Sequence, residues 1–273
     1  MAPGLSFVTV CKGRLAHLKQ TLPLLAAQPG TEAVVVDYGC PQGTSAWVGR
    51  TLPRVKVVKV DDDSGICVAR GRNLGAAAAG SPRLCFVDAD VKLSEGFAAW
   101  AREHARPRHY YRVLPGSEDL WGTCLCSAED FARAGGYDEA FRGWGGEDDD
   151  LYMRLEDAGC VASSFPAELV EPIAHEDALR LAQYEIKDRR AHNRVNQVYV
   201  GAKRQVAKIL GRPLTLDERK QLFAECQKGV QSVPIGDDNV VLEISLPPDP
   251  RLPSHDGWTL EQKIVYRFVA RPS

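Results

Sequence analysis

Apolar residues in this chain come in short bursts that end in polar or acidic turns, and the bursts alternate with segments of helical period. Residues 6–10 form a β-prone run, and in residues 14–27 Leu15, Leu18, Leu22 and Leu25 recur at helical spacing. Pro23 falls inside that pattern and predicts a kink or a short first helix. Residues 33–37 read as a strand ending in Asp37, and residues 55–60 as another, ending in Asp61-Asp62-Asp63. Residues 67–79 form an alanine-rich helix stopped by Gly80-Ser81-Pro82, and residues 84–87 form a strand that runs straight into Asp88-Ala89-Asp90. Strands and helices alternating at this spacing predict βαβ units and a parallel sheet, an α/β fold. Polar residues then follow Val10, Val36, Val60 and Val87, the carboxyl ends of parallel strands, where open α/β sheets bind ligands.

The second half changes character. Residues 119–157 mix tryptophan, glycine and acids, and a helical pattern returns from 178 to 210, with Val195, Val198, Ala202, Val206 and Ile209 on one face. A short helix over 216–226, a β-like run at 240–245 and an amphipathic segment at 260–269 complete the chain.

Composition narrows the classes. With 44% apolar residues in 273, a disordered or fibrous chain is excluded. A net charge of −2 gives no global attraction to nucleic acid or to an anionic membrane, so no nucleic-acid partner is expected. That near-neutrality is a cancellation. Residues 138–157 carry 8 acids against 2 bases, and residues 187–220 carry 10 bases against 3 acids. The basic stretch reads as a solvated helix face, or as a contact for an anionic acceptor or lipid headgroups. The eight cysteines are dispersed, several in strand-like runs, which reads as buried thiols in a reducing compartment. Cys124 and Cys126 lack the spacing of a zinc site. The N-terminal residues read as a strand and not as a signal peptide, and no segment approaches the roughly 20 apolar residues of a spanning helix. The expected location is the cytoplasm, with peripheral contact at the inner face of the membrane.

Two motifs carry chemistry. Asp88 and Asp90 at a strand-end turn can aim two carboxylates at one divalent cation, although an Asp-x-Asp pair by itself is more often a solvated turn. The run 143–150, Gly-Trp-Gly-Gly-Glu-Asp-Asp-Asp, is more specific. Four consecutive acids repel one another, and the glycines around Trp144 permit an unusual backbone and close approach of a ligand. The periodic Leu151–Leu155 that follows begins a helix, which puts the acids in its first turn, where the macrodipole favours them.

Residues 136–155 resemble the acceptor-site motif of GT-A fold glycosyltransferases. The similarity is to the β-1,4-galactosyltransferases, the polypeptide N-acetylgalactosaminyltransferases and bacterial chondroitin-polymerase-like enzymes. Val87-Asp88-Ala89-Asp90 resembles the family's metal motif, residues 11–18 resemble its first nucleotide-binding loop, and the resemblance spans residues 5–197. It implies a GT-A fold over 1–204, with a mostly parallel sheet flanked by helices, and a C-terminal extension at 205–273. It implies an inverting transfer from a UDP-sugar to a carbohydrate hydroxyl in glycan synthesis, with Mn²⁺, or Mg²⁺ in its place.

Position by position, the resemblance makes Asp90, His175 and Asp88 the metal ligands. Asp148 is the general base and Glu147 binds the donor sugar. Val10, Lys12, Arg14, Asp37, Asp62, Arg70, Asn73, Asp88, Ala89, Trp121 and Gly122 line the nucleotide and donor side. Trp144, Gly145 and Asp149 receive the acceptor. For Trp121 a plain buried role is an equal alternative, and His192 and Asn193 read as surface. One rival is a catalytically silent nucleotide-sugar or glycan-binding module. Another is a sugar-1-phosphate nucleotidyltransferase, which needs a glycine-rich loop that Cys11–Leu15 does not supply.

Overall fold

A computed structural model describes residues 4–116, 118–174, 181–233, 239–245 and 262–269. The chain divides into two compact units. One comprises residues 1–138 and 147–183, the other residues 139–146 and 184–273.

The first unit is built on a seven-stranded sheet ordered β3-β2-β1-β4-β7-β6-β8. Its strands are β1 (Leu5–Cys11), β2 (Thr31–Asp37), β3 (Lys56–Lys59), β4 (Arg83–Phe86), β6 (His109–Arg112), β7 (Cys124–Ser127) and β8 (Val161–Ser164). Strands β3, β2, β1 and β4 run parallel, β7 is antiparallel to both its neighbours, and β6 pairs with β8 in parallel. The mostly parallel α/β sheet expected from the sequence is therefore present. A small antiparallel pair, β5 (Val91–Leu93) with β9 (Val170–Pro172), adjoins it in sequence.

The strand period of two sorts the core onto the two faces of the sheet. Phe7, Val35, Cys85 and Leu125 belong to a cluster with helix α1 (Leu15–Ala26) and helix α4 (Phe97–His104). Val8, Val34, Val36, Leu84 and Phe86 belong to another, with α3 (Val68–Ala78) and α6 (Glu147–Asp157). Helix α2 (Thr44–Thr51) follows β2, and α5 (Ala128–Arg133) follows β7. Helix α1 does not stop at Pro23 but runs to Ala26, because buried Leu22 and Leu25 keep its apolar stripe on the sheet. Helix α3 lies close against β1, since a Cβ at Gly71 would sit 2.8 Å from Val10 and one at Gly75 would collide with Val8.

The second unit has its own core. Helices α7 (Arg189–Leu210) and α8 (Leu216–Gln231) pack with a hairpin of β10 (Asn239–Ser245) and β11 (Lys263–Val269). Phe141, Tyr199 and Phe223 stack edge to face at its centre, with centroids 5.0–5.9 Å apart. None of the eight cysteines forms a disulfide, and all are buried. No helix among the described residues is long and apolar enough to cross a membrane.

Candidate active site

Helix α6 begins on Glu147-Asp148-Asp149-Asp150, the arrangement expected from the sequence, and all four acids are partnered. Asp150 pairs with Arg154 one turn later at 2.9 Å. Asp149 accepts the Trp121 indole N–H at 2.8 Å. Glu147 and Asp148 both face Arg72, which reaches them from α3 at 3.3 and 2.6 Å. The mutual repulsion of four neighbouring carboxylates is thus dispersed over three separate partners.

Arg72 is the centre of this arrangement. It is 3% exposed, and its second terminal nitrogen lies 2.8 Å from Asp88, the first acid of the Asp-Ala-Asp turn. Its guanidinium plane covers the Tyr137 ring at 4.9 Å, and the Tyr137 hydroxyl donates to Asp148 at 3.2 Å. Burial alone would favour a neutral Arg72, but the charge of Asp148 and its neighbours holds the guanidinium firmly protonated. Burial pushes the Asp148 carboxyl well above the ordinary carboxylate range, against the opposite pull of Arg72, and raises Glu147 in the same way. Gly122 lets the backbone pass beside the pair: a Cβ there would stand 2.5 Å from Arg72 Nη2 and 2.6 Å from Asp88 Oδ2.

Asp90 sits two residues on and pairs with Arg14 at 3.3 Å. Ala89 between them is buried, and its carbonyl accepts the Thr21 hydroxyl at 2.9 Å, which fixes the turn. Asp88 engages Arg72 through Oδ1 and Asp90 engages Arg14 through Oδ2. Two carboxylates at i and i+2 are hard oxygen donors, which suit Mn²⁺ or Mg²⁺, so the donor set fits such a cation. Among the described residues no three His, Cys, Asp or Glu side chains converge as a metal cage. His175 lies outside the described residues.

Three of the remaining donor-side candidates, Lys12, Asp62 and Arg70, meet at the turn after β3. Lys12 donates to the carbonyls of Ser64 and Gly65 at 3.1 and 2.7 Å, Arg70 pairs with Asp62 at 2.7 Å, and Tyr38 donates to Asp63 at 2.7 Å. Val10 packs where α3 crosses β1. Asp37 accepts the backbone N–H groups of Cys40 and Ser45 and the Ser45 hydroxyl, tying down the loop after β2. Asn73 brackets Tyr137, donating to its carbonyl at 2.9 Å and accepting its N–H at 2.8 Å. Trp121 lies under the Arg112 guanidinium at 4.2 Å.

In the second unit, Trp144 and Gly145 lie in the loop before α6, and this loop is held by α7. Asn196 donates to the Trp144 and Gly145 carbonyls at 3.1 and 2.7 Å, His192 Nδ1 accepts the Trp144 N–H at 3.3 Å, and the Arg189 guanidinium covers the Trp144 ring at 4.4 Å. Gly143, Gly145 and Gly146 all take positive φ, as the glycine pattern implied. The close approach those glycines permit is to α7, where a Cβ at Gly143 would meet His192 at 2.5 Å and one at Gly146 would meet Asn196 at 2.7 Å. His192, read from the sequence as a surface residue, is 4% exposed.

Arg72, Tyr137 and Asn196 carry the geometry and were not singled out by the sequence motifs. The available signal for Arg72 was an arginine within an alanine- and glycine-rich helix packed on a buried sheet, where an unpaired charge would be costly.

A family model described as the N-terminal domain of galactosyltransferase matches residues 104–176, which contain the whole 136–155 motif. β-1,4-Galactosyltransferase 5 of Homo sapiens is 42% identical over 64 residues, covering 21% of this chain and 16% of that protein. Validoxylamine A glucosyltransferase of Streptomyces hygroscopicus subsp. jinggangensis is 29% identical over 220 residues, covering 58% of this chain and 52% of that protein. The chain thus spans about a sixth of the galactosyltransferases it matches and about half of the glucosyltransferase. Among solved structures, S. aureus TarS in complex with UDP-GlcNAc superposes with a TM-score of 0.57 at 16% identity, over 82% of this chain and 72% of that one. The mannosyltransferase PcManGT from Pyrobaculum calidifontis, in complex with GDP-Man and Mn²⁺, gives 0.57 at 16% identity, over 86% and 76%. The fold is that of the GT-A glycosyltransferases, as the motifs implied.

Proposed function

We propose that this chain transfers a sugar from a UDP-sugar to a hydroxyl of a carbohydrate acceptor, with inversion at the anomeric carbon. One observation carries the reading: buried Arg72 joins Asp88 of the Asp-Ala-Asp turn to Glu147 and Asp148 at the start of α6. The carboxylates suited to the diphosphate end of a donor and the carboxylate suited to deprotonating an acceptor form one electrostatic unit.

In this reading Asp148 takes the proton from the attacking hydroxyl. A carboxyl raised by burial is, once ionised, a stronger base than an exposed one. Glu147 binds the donor sugar beside it, and Trp121 with Gly122 forms the wall facing that sugar. Asp88, Asp90 and His175 would hold Mn²⁺ or Mg²⁺, whose positive charge supplies Lewis-acid stabilisation of the departing diphosphate. Lys12, Arg14, Asp62 and Arg70 receive the nucleotide. Val10, Asp37, Ala89 and Asn73 shape that pocket through the helix, loop and turn contacts they make. Trp144, Gly145 and Asp149 receive the acceptor, with Trp144 stacking on a sugar ring. One base and one in-line attack need no covalent intermediate, so an α-linked donor yields a β-glycoside. Eight cysteines without a disulfide among them support a reducing compartment for the reaction.

The test is a panel of UDP-sugars incubated with Mn²⁺ or Mg²⁺ and assayed for UDP release, which needs no acceptor. Release from one sugar above the others supports the assignment, and no release from any of them overturns it.

A further inference from the structure

At the end of the sheet opposite Asp88, the first residues of β4 and β6 and the last residues of β7 border a cleft of about 590 Å³. That volume lies in the range of small-ligand sites. Its floor is apolar, from Ala105, Tyr111 and Leu125, and its rim carries four arginines, Arg83, Arg106, Arg108 and Arg133, against two acids, Glu129 and Asp130.

The arginines divide by what already holds them. Asp130 is 2% exposed and pairs with Arg133 at 2.6 Å and with Arg108 at 3.6 Å, while also accepting the Ser127 hydroxyl and the Arg108 N–H. Arg133 reaches Glu129 as well, at 2.5 Å. Arg83 and Arg106 have no carboxylate partner among the described residues; Arg83 donates one long bond, 3.4 Å, to the Ala105 carbonyl. Arg108 occupies the left-handed backbone region at φ 61°, the single non-glycine residue there among those described. An arginine in a conformation better suited to glycine or asparagine is strain of the kind that gathers at functional sites.

We infer that this cleft is a second ligand site, separate from the donor pocket, for a sugar carrying a phosphate or carboxylate group. Arg83 and Arg106 engage the anion, for which the guanidinium fork is matched bidentately. Arg108 and Arg133, held in place by Asp130, set the positive field around it, and the apolar floor receives the ring. Its place at the other end of these strands keeps it clear of Asp88, Arg72 and the first turn of α6.

Calorimetric titration of the full chain with glucose 6-phosphate, glucuronate and uncharged glucose, in the presence and absence of UDP, tests this. At least one charged sugar should bind at concentrations up to about 10 mM, glucose should not, and UDP should leave the binding unchanged. Preference for glucose 6-phosphate or for glucuronate identifies which anion the cleft takes. Arg106→Ala and Arg83→Ala should each weaken it about tenfold or more, as loss of a charge-assisted hydrogen bond implies, while circular dichroism shows the fold retained. Binding of neither charged sugar, competition by UDP, or undiminished binding by Arg83→Ala/Arg106→Ala would overturn it.

Discussion

Arg72 Nη1 lies 2.6 Å from Asp148 Oδ1, and both residues are buried. A lone buried charge on either would be costly, so the pair fixes its own geometry and carries Asp88 and Glu147 with it. Lysine keeps the charge but offers a single point in place of a planar fork. Arg72→Lys is therefore expected to lower UDP-sugar turnover on the order of a hundredfold, the scale of losing one preorganised electrostatic contact. Turnover near the wild-type level in a folded variant would remove Arg72 from the machinery.

The same pair sets a pH dependence. Burial raises the Asp148 carboxyl and Arg72 lowers it, with burial prevailing. A general base works only when ionised, so kcat/KM should rise with pH along a limb lying above about pH 4, the ordinary aspartate value. Arg72→Gln removes the lowering influence, so the limb should move to higher pH. A limb that stays in place, or moves down, contradicts the coupling.

Gly122 gives a steric test. A methyl group there would press on Arg72 Nη2 and Asp88 Oδ2 at 2.5 and 2.6 Å. Gly122→Ala should weaken UDP-sugar turnover with little change in thermal midpoint, because the displaced atoms are side-chain ends at the site. An unchanged rate would mean that the Arg72–Asp88 contact does not matter to activity.

The loop before α6 gives a stability test. Gly146 has φ 88°, and an added Cβ would sit 2.7 Å from Asn196. Gly146→Ala should cost roughly 1–3 kcal/mol, the scale of a strained backbone site, read from denaturant unfolding. By contrast Gly43→Ala, at φ 75° with nothing within 4 Å, should show the backbone penalty without the clash. Equal losses would mean that α7 does not grip the loop.

Glu32 ties β2 to β3 and to the turn after α3. It accepts from Lys56, Ser6 and Gly80, and against the opposing effect of burial these partners hold its carboxyl down to about 2. A depressed carboxylate adds stability above its unfolded pKa and loses it as pH falls toward the folded one. Glu32→Gln should thus cost about 1–2 kcal/mol at pH 7, discounted for partial solvent screening, and much less near pH 2. A cost independent of pH would place the effect in packing.

The parallel strands, the α3 and α6 helices and the Asp-Ala-Asp turn were legible because their signals are local: a period, a stop, an acid at a strand end. The antiparallel insertion of β7 between β4 and β6 was not, since strand order depends on contacts distant in sequence. Arg72 was hidden for a related reason. Its neighbours Arg70 and Asn73 share its helix, but only the packing of α3 on β1 shows that Arg72 turns inward to α6 while Arg70 turns to Asp62. Likewise, the glycines around Trp144 announced an unusual backbone, and only the folded second unit shows that α7 is what comes close.

Asp148→Asn separates donor binding from proton transfer. The amide keeps the shape but cannot take a proton, so UDP affinity measured by calorimetry should stay close to wild type. Glycosyl transfer should fall by about 10²–10⁴-fold, the usual contribution of a general base. Transfer retained at the wild-type rate, with UDP still bound, would contradict Asp148 as the base and with it the proposed mechanism.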